Sequence, residues 1–124
     1  RYDDVVGEVD RFLSARARAC LAAGIPAERI CLDPGFGFGK TLEHNLDLLA
    51  GLQRLAAGPY PLLVGLSRKS MLAGLLGRAV EDRLPGSLAL ATAAVLAGAR
   101  IVRAHDVVET CDAVRVAAAL VRRR

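Results

Sequence analysis

The sequence predicts an α/β fold, a parallel sheet of short strands covered by helices. Short apolar runs at 29–32, 62–66 and 100–104 alternate with longer segments of helical periodicity. Runs this short and apolar read as strands buried on both faces, which is the pattern of a parallel sheet. Polar and glycine-rich residues follow each run, where open and closed parallel sheets both place their ligands.

The first element is a helix from Asp4 to Ala23, with Val5, Val9, Phe12, Leu13, Ala17, Cys20 and Leu21 near one face. Gly24 and Pro26 end it. Arg29–Leu32 is a strand, and a Gly-Phe loop runs on to about Thr41. Asn45 to Leu55 is the next helix, with Leu46, Leu49, Leu52 and Leu55 inward and His44 and Asn45 serving its start. Pro61 precedes the second strand, Leu62–Leu66. Ser67-Arg68-Lys69-Ser70 opens a helix to about Leu76, and 78–85 is a charged loop. Ser87–Ala97 is apolar nearly all round and therefore buried on more than one side. Gly98 caps it, Arg100–Ala104 is the third strand, and a last helix runs from Asp106 or Val107 to about Val121. There is no linker and no change of composition, so the chain is one structural unit.

Three strands do not close a barrel, and a (β/α)₈ barrel takes about 250 residues. If these units belong to a barrel, they are its C-terminal half; the competing architecture is a small open sheet.

Hydrophobic residues make up 53% and charged residues 24% of the 124, enough for a core and unlike a disordered tail. With no Trp and 4% aromatics, that core is aliphatic. No apolar run approaches the roughly 20 residues that span a bilayer. Arg1-Tyr2-Asp3-Asp4 reads as neither a signal nor a transit peptide, and without a Met it implies residues before Arg1. The net charge of +4 is dispersed apart from Arg122-Arg123-Arg124, which speaks against nucleic acid while leaving room for a small-anion site. Cys20, Cys31 and Cys111 are odd in number and far apart, which argues against a disulfide scaffold or zinc site and fits a reducing cytoplasm.

The strand ends carry Asp33 with its Gly-Phe loop, Ser67-Arg68-Lys69-Ser70, and Arg103-Ala104-His105-Asp106. On one rim they offer a carboxylate, several cations, an imidazole and aromatic surface. The set suits a flat heterocycle bearing a phosphate or diphosphate: the carboxylate accepts paired ring N–H groups, and Arg and His hold the anion. Ser67 and Ser70 lie where a helix begins, which favours anions. Taken singly, each residue has a plainer reading. Asp33 serves equally well to cap its loop, Arg68 and Lys69 as surface charges, His105 as a hydrogen-bonded structural histidine, and Phe36 and Phe38 as core. Gly39-Lys40-Thr41 matches the end of a P-loop, but Pro34 stands where its first glycine belongs, and no G-x-G-x-x-G is present. Ser67 and His105 lack the G-x-S-x-G surround of a hydrolase.

These residues resemble the dihydropteroate synthase family, the folate-pathway enzymes targeted by sulfonamides. The resemblance runs through Tyr2-Asp3-Asp4-Val5, LDPGFGFGKT from Leu32, LLVGLSRKS from Leu62, GSLA from Gly86 and IVRAHDV from Ile101. It implies a TIM barrel of which this chain supplies the last three βα units, parallel strands with outer helices, the N-terminal half being absent. Asp33 would bind the N–H groups of the pterin, and Lys69 would lie against the ring. Arg103 and His105 would hold the diphosphate with Ser70 and Arg68 nearby, and Gly37, Phe38, Gly65, Ser67 and Arg68 would line the substrate pocket. Lys69, Arg103 and His105 are the catalytic candidates. The implied reaction joins (7,8-dihydropterin-6-yl)methyl diphosphate to 4-aminobenzoate, releasing diphosphate. The resemblance further implies Mg²⁺ on the diphosphate, held from outside this chain, and a homodimer through C-terminal helices. The chain alone is then expected to be inactive. The alternatives are a pterin-binding methyltransferase domain, or a non-catalytic half-barrel.

Overall fold

The computed structural model describes residues 4–37, 40–66 and 70–124. Helix α1 spans Val5–Ala22 and is capped by the Asp4 carboxylate, which accepts the Gly7 N–H at 3.1 Å. Helices α2 (Leu42–Ala50) and α3 (Leu52–Ala56) are followed by strand β1 (Leu63–Gly65) and helix α4 (Ser70–Leu76). Helix α5 (Leu84–Leu96), strand β2 (Ile101–Arg103) and helix α6 (Val107–Val121) complete the order.

Strands β1 and β2 are parallel, in register Leu63–Ile101, Val64–Val102 and Gly65–Arg103. On the other side of β1 the chain pairs once, through a parallel bridge between Leu32 and Leu62. Its two bonds run from Leu32 N to Pro61 O (2.9 Å) and from Leu63 N to Leu32 O (2.8 Å). The strand expected at 29–32 is thus a single bridge. Arg29 is drawn into a short 3₁₀ turn, Ala27–Arg29, and Pro34 soon follows with no N–H to give.

The core lies around the middle strand, where Leu62, Val64 and Leu66 are at most 1% exposed. Leu48 and Leu52 fill it from α2 and α3, Val5, Val9 and Leu13 from α1, and Leu90 and Ala94 from α5. The buried row of α1 follows the i, i+4 ridge Val5–Val9–Leu13–Ala17. Of the residues expected on that face, Phe12 lies beside the ridge and Leu21 one turn beyond its buried part, and they are 64% and 42% exposed. The helix expected from Asn45 to Leu55 begins three residues earlier and breaks at Gly51. A methyl group on Gly51 would come within 2.6 Å of Val6 Cγ2, so the break sits where the chain passes close against α1.

The helix opening expected at Ser67-Arg68-Lys69 lies outside the described residues, and α5 starts at Leu84, inside the expected loop, with Pro85 in its first turn. Helix α5 buries Gly86, Ser87, Leu90, Ala91, Ala94 and Val95, and packs most extensively on α6. Gly98 closes it at φ 116, with Ala56 Cβ only 2.7 Å from where a side chain would begin.

Replacing Leu48 by Ala is expected to lower stability by about 2–5 kcal/mol, since the site is closed on all sides. Val108→Ala, at a position 72% exposed, should stay within about 0.5 kcal/mol. Urea unfolding curves of the two variants check the contrast.

Candidate functional site

The parallel ladder fixes where the candidate residues stand. Asp33 directly follows the bridging Leu32, Gly65 ends β1, and Arg103 ends β2 opposite it. His105 lies two residues on, before α6. All four therefore belong to the same, C-terminal rim of the sheet. Gly65 and Arg103 are in contact. A methyl group on Gly65 would lie 2.6 Å from Nη2 of Arg103 and 3.1 Å from its Cζ, so the missing side chain is the room the guanidinium occupies. Arg103 and His105 are exposed, and Arg103 opens onto a cavity of about 550 Å³ lined also by Ala104, Val107, Cys111 and Arg115.

Asp33 faces a second, smaller cavity of about 310 Å³ between α1 and its own loop, with Val9, Phe12, Leu13, Gly35 and Lys40. The two cavities have no lining residue in common among the described residues. Gly65 and Arg103 are brought together, whereas Asp33 and Arg103 occupy separate recesses of the rim. The Phe38, Ser67, Arg68 and Lys69 candidates lie outside the described residues. Ser70 is the first residue of α4.

The loop after Asp33 is built from side-chain bonds. Its carboxylate accepts the Gly35 N–H at 2.9 Å, closing a local turn. Lys40 Nζ donates to Gly35 O at 2.8 Å from the far end of the loop. Gly35 and Gly37 adopt φ 73 and 88, which side chains rarely tolerate. Between them Phe36 turns inward and is 2% exposed, as a core reading of that residue requires, while Gly37 stays at the surface.

Helix α2 receives the chain through a reciprocal cap. Thr41 Oγ1 accepts the His44 N–H at 3.1 Å, and His44 Nδ1 accepts the Thr41 N–H at 3.3 Å. Asn45, 4% exposed, accepts the Gly37 N–H at 2.9 Å and donates to Thr41 O at 3.0 Å. His44 and Asn45 thus serve the helix start as expected, but Asn45 also reaches back to the loop. Sequence reading gave Lys40 no role beyond a failed phosphate motif. The signal available was a cation and an amide spaced to reach back over alternating glycines.

Burial pushes the Lys40 ammonium below its ordinary pKa, and the nearby Asp33 charge opposes part of that fall. Where both folded and unfolded chains are protonated, the burial cost is present in full. As pH climbs from the folded pKa towards the ordinary 10.5, the folded state releases its proton first and stability rises. The gain is complete above 10.5 and is lost as pH falls back through the folded value. Urea midpoints of wild type relative to Lys40→Met should therefore increase between pH 8 and pH 10.5. A constant difference would place the ammonium in open water.

Residues 1–105 match the family described as Pterin binding enzyme. Over 122 residues the chain is 56% identical to the dihydropteroate synthase of Neisseria meningitidis serogroup C, covering 97% of this chain and 43% of that protein. The Yersinia pestis DHPS with a pterine-sulfa conjugate superposes with a TM-score of 0.96 at 45% identity, over all of this chain and 49% of the other. The Thermus thermophilus synthase in complex with 4-aminobenzoate gives 0.90 at 50% identity, over 97% and 46%. The chain spans under half the length of these relatives, and its parallel strands and outer helices are part of a TIM barrel. By sequence and by fold, the chain belongs to the pterin-binding enzyme family.

Proposed function

We propose that this chain is the C-terminal half of a dihydropteroate synthase, condensing (7,8-dihydropterin-6-yl)methyl diphosphate with 4-aminobenzoate. The observation that carries the reading is the identity of about half the residues, over nearly the whole chain, with synthases that superpose on it throughout. The ladder is compatible with it, since Asp33, Gly65 and Arg103 stand at the same end of the parallel strands.

In this reading Asp33 accepts the pterin N–H groups and Lys69 packs against the ring. The bond between the pterin methylene and the diphosphate oxygen breaks, its electron pair leaving with the diphosphate. Positive charge on the methylene spreads into the ring. Arg103 and His105, with Arg68 and Ser70, hold the departing anion, a stabilisation that grows with the charge. The amine of 4-aminobenzoate, seated by Gly37, Phe38, Gly65 and Ser67, attacks the methylene and loses a proton. No enzyme nucleophile is required.

Among the described residues no group of three or more His, Cys, Asp or Glu is arranged to hold a metal ion. No step above is routed through Mg²⁺. In the family reading the ligands come from the other half of the barrel and the substrate diphosphate. Partners are confined to these small molecules and a second copy, paired through C-terminal helices such as α6, where Val116 and Leu120 are 63% and 53% exposed. A cytoplasmic location goes with the free-thiol composition. No helix among the described residues is long and apolar enough to cross a membrane.

The test is formation of dihydropteroate by the full-length protein containing this chain, against the isolated 124 residues. Product is expected only from the former, and product from the isolated chain would overturn the half-barrel reading. Capture of methyl-tetrahydrofolate in preference to the pterin diphosphate would replace the synthase by a methyltransferase. In the full-length protein, Lys69→Ala and Arg103→Ala should each lower kcat by on the order of 100-fold. Gly65→Ala displaces only the end of a flexible side chain, so kcat/KM should fall about 10- to 100-fold with the melting temperature nearly unchanged. A near-normal rate in any one of them removes that residue from the mechanism.

A further inference from the structure

We infer that Lys40 and Asn45 are positioning residues that set the two ends of the substrate loop independently, Lys40 for the pterin side and Asn45 for the 4-aminobenzoate side. The inference rests on the synthase reading. Among the described residues of 33–40, no backbone group bonds to another backbone group of the loop. Gly35 and Gly37 at positive φ widen the conformational freedom of the loop, and the side chains of Asp33, Lys40 and Asn45 each bond to its backbone.

The clamps act at different places. Lys40 Nζ holds the carbonyl of Gly35, whose N–H is held by the Asp33 carboxylate. One peptide neighbourhood is thereby tied from both sides, and the carboxylate that faces the pterin is part of the tie. Asn45 holds the N–H of Gly37, the residue before Phe38, and anchors itself to Thr41 O at the start of α2. Its amide is buried, and both its polar atoms are matched, so its geometry is fixed by the helix rather than by solvent. Phe36, buried between the two, is the fixed point about which each end could move separately.

A loop clamped at two points makes a prediction that general stability does not. In the full-length protein, Lys40→Met should raise KM for the pterin diphosphate about tenfold and leave KM for 4-aminobenzoate within about twofold. Asn45→Leu should do the reverse, with kcat in both within about threefold of wild type. Lys40→Arg keeps a donor and a charge and should restore most of the pterin KM. Should Asn45→Leu fail to fold, the partly exposed Lys40 pair still decides the matter.

Equal rises in both KM values, a fall in kcat tracking the melting temperature, or unchanged kinetics in a folded Lys40→Met would each overturn the inference. A wild-type protein that forms no dihydropteroate would instead sink the synthase reading and this inference with it.

Discussion

The segment 62–66 is bonded on both sides, and the rest of the molecule hangs on it. Leu62 O accepts the N–H groups of Arg100 (3.0 Å) and Ile101 (3.2 Å), while Pro61 and Leu63 bond to Leu32. Flanked on both edges, the segment can bury both faces, because it leaves few backbone groups wanting water. Leu62, Val64 and Leu66 are accordingly among the least exposed residues in the chain. The parallel direction of both pairings puts the ends of all three runs on one rim, so the chemistry collected there follows from the ladder.

Small residues decide how closely the surrounding helices come to one another. Gly74 of α4 lies where a methyl would meet Leu42 Cδ2 at 2.9 Å, and Gly86 of α5 where it would meet Leu72 and Leu76. Gly65 plays the same part across the ladder, but the group it admits is a guanidinium. The same physical device, a missing Cβ, therefore serves packing in the helical layer and placement of charge at the rim.

Much of this was legible in the residues. The alternation of apolar runs with helical periods located α1, α5, β2 and α6, and the charged and glycine-rich ends of the runs marked the rim. What escaped had physical causes. Periodicity treated Phe12 and Val9 alike, because a helix face read by spacing is wider than the ridge that touches the core. The break at Gly51 lies against Val6, 45 residues earlier, a contact no local window contains. The strand at 29–32 shrank to one bridge, since apolar character does not supply a partner for a strand's outer edge. Asp33 was singled out for a site, whereas Lys40 entered only as the end of a failed phosphate motif and Asn45 only as part of a helix start. Their importance lies in hydrogen bonds to backbone groups, and backbone groups carry no letter in a sequence.

The reciprocal cap at Thr41 and His44 belongs to the same unit as the loop before it, since Asn45 grips both. Gly35 and Gly37 stand at φ values that forbid most replacements, so the loop itself has little freedom to diverge. The first turn of α2 is under no such restriction. On the synthase reading, inherited variation in how tightly the rim grips a small molecule, an inhibitor included, would then accumulate in that helix terminus.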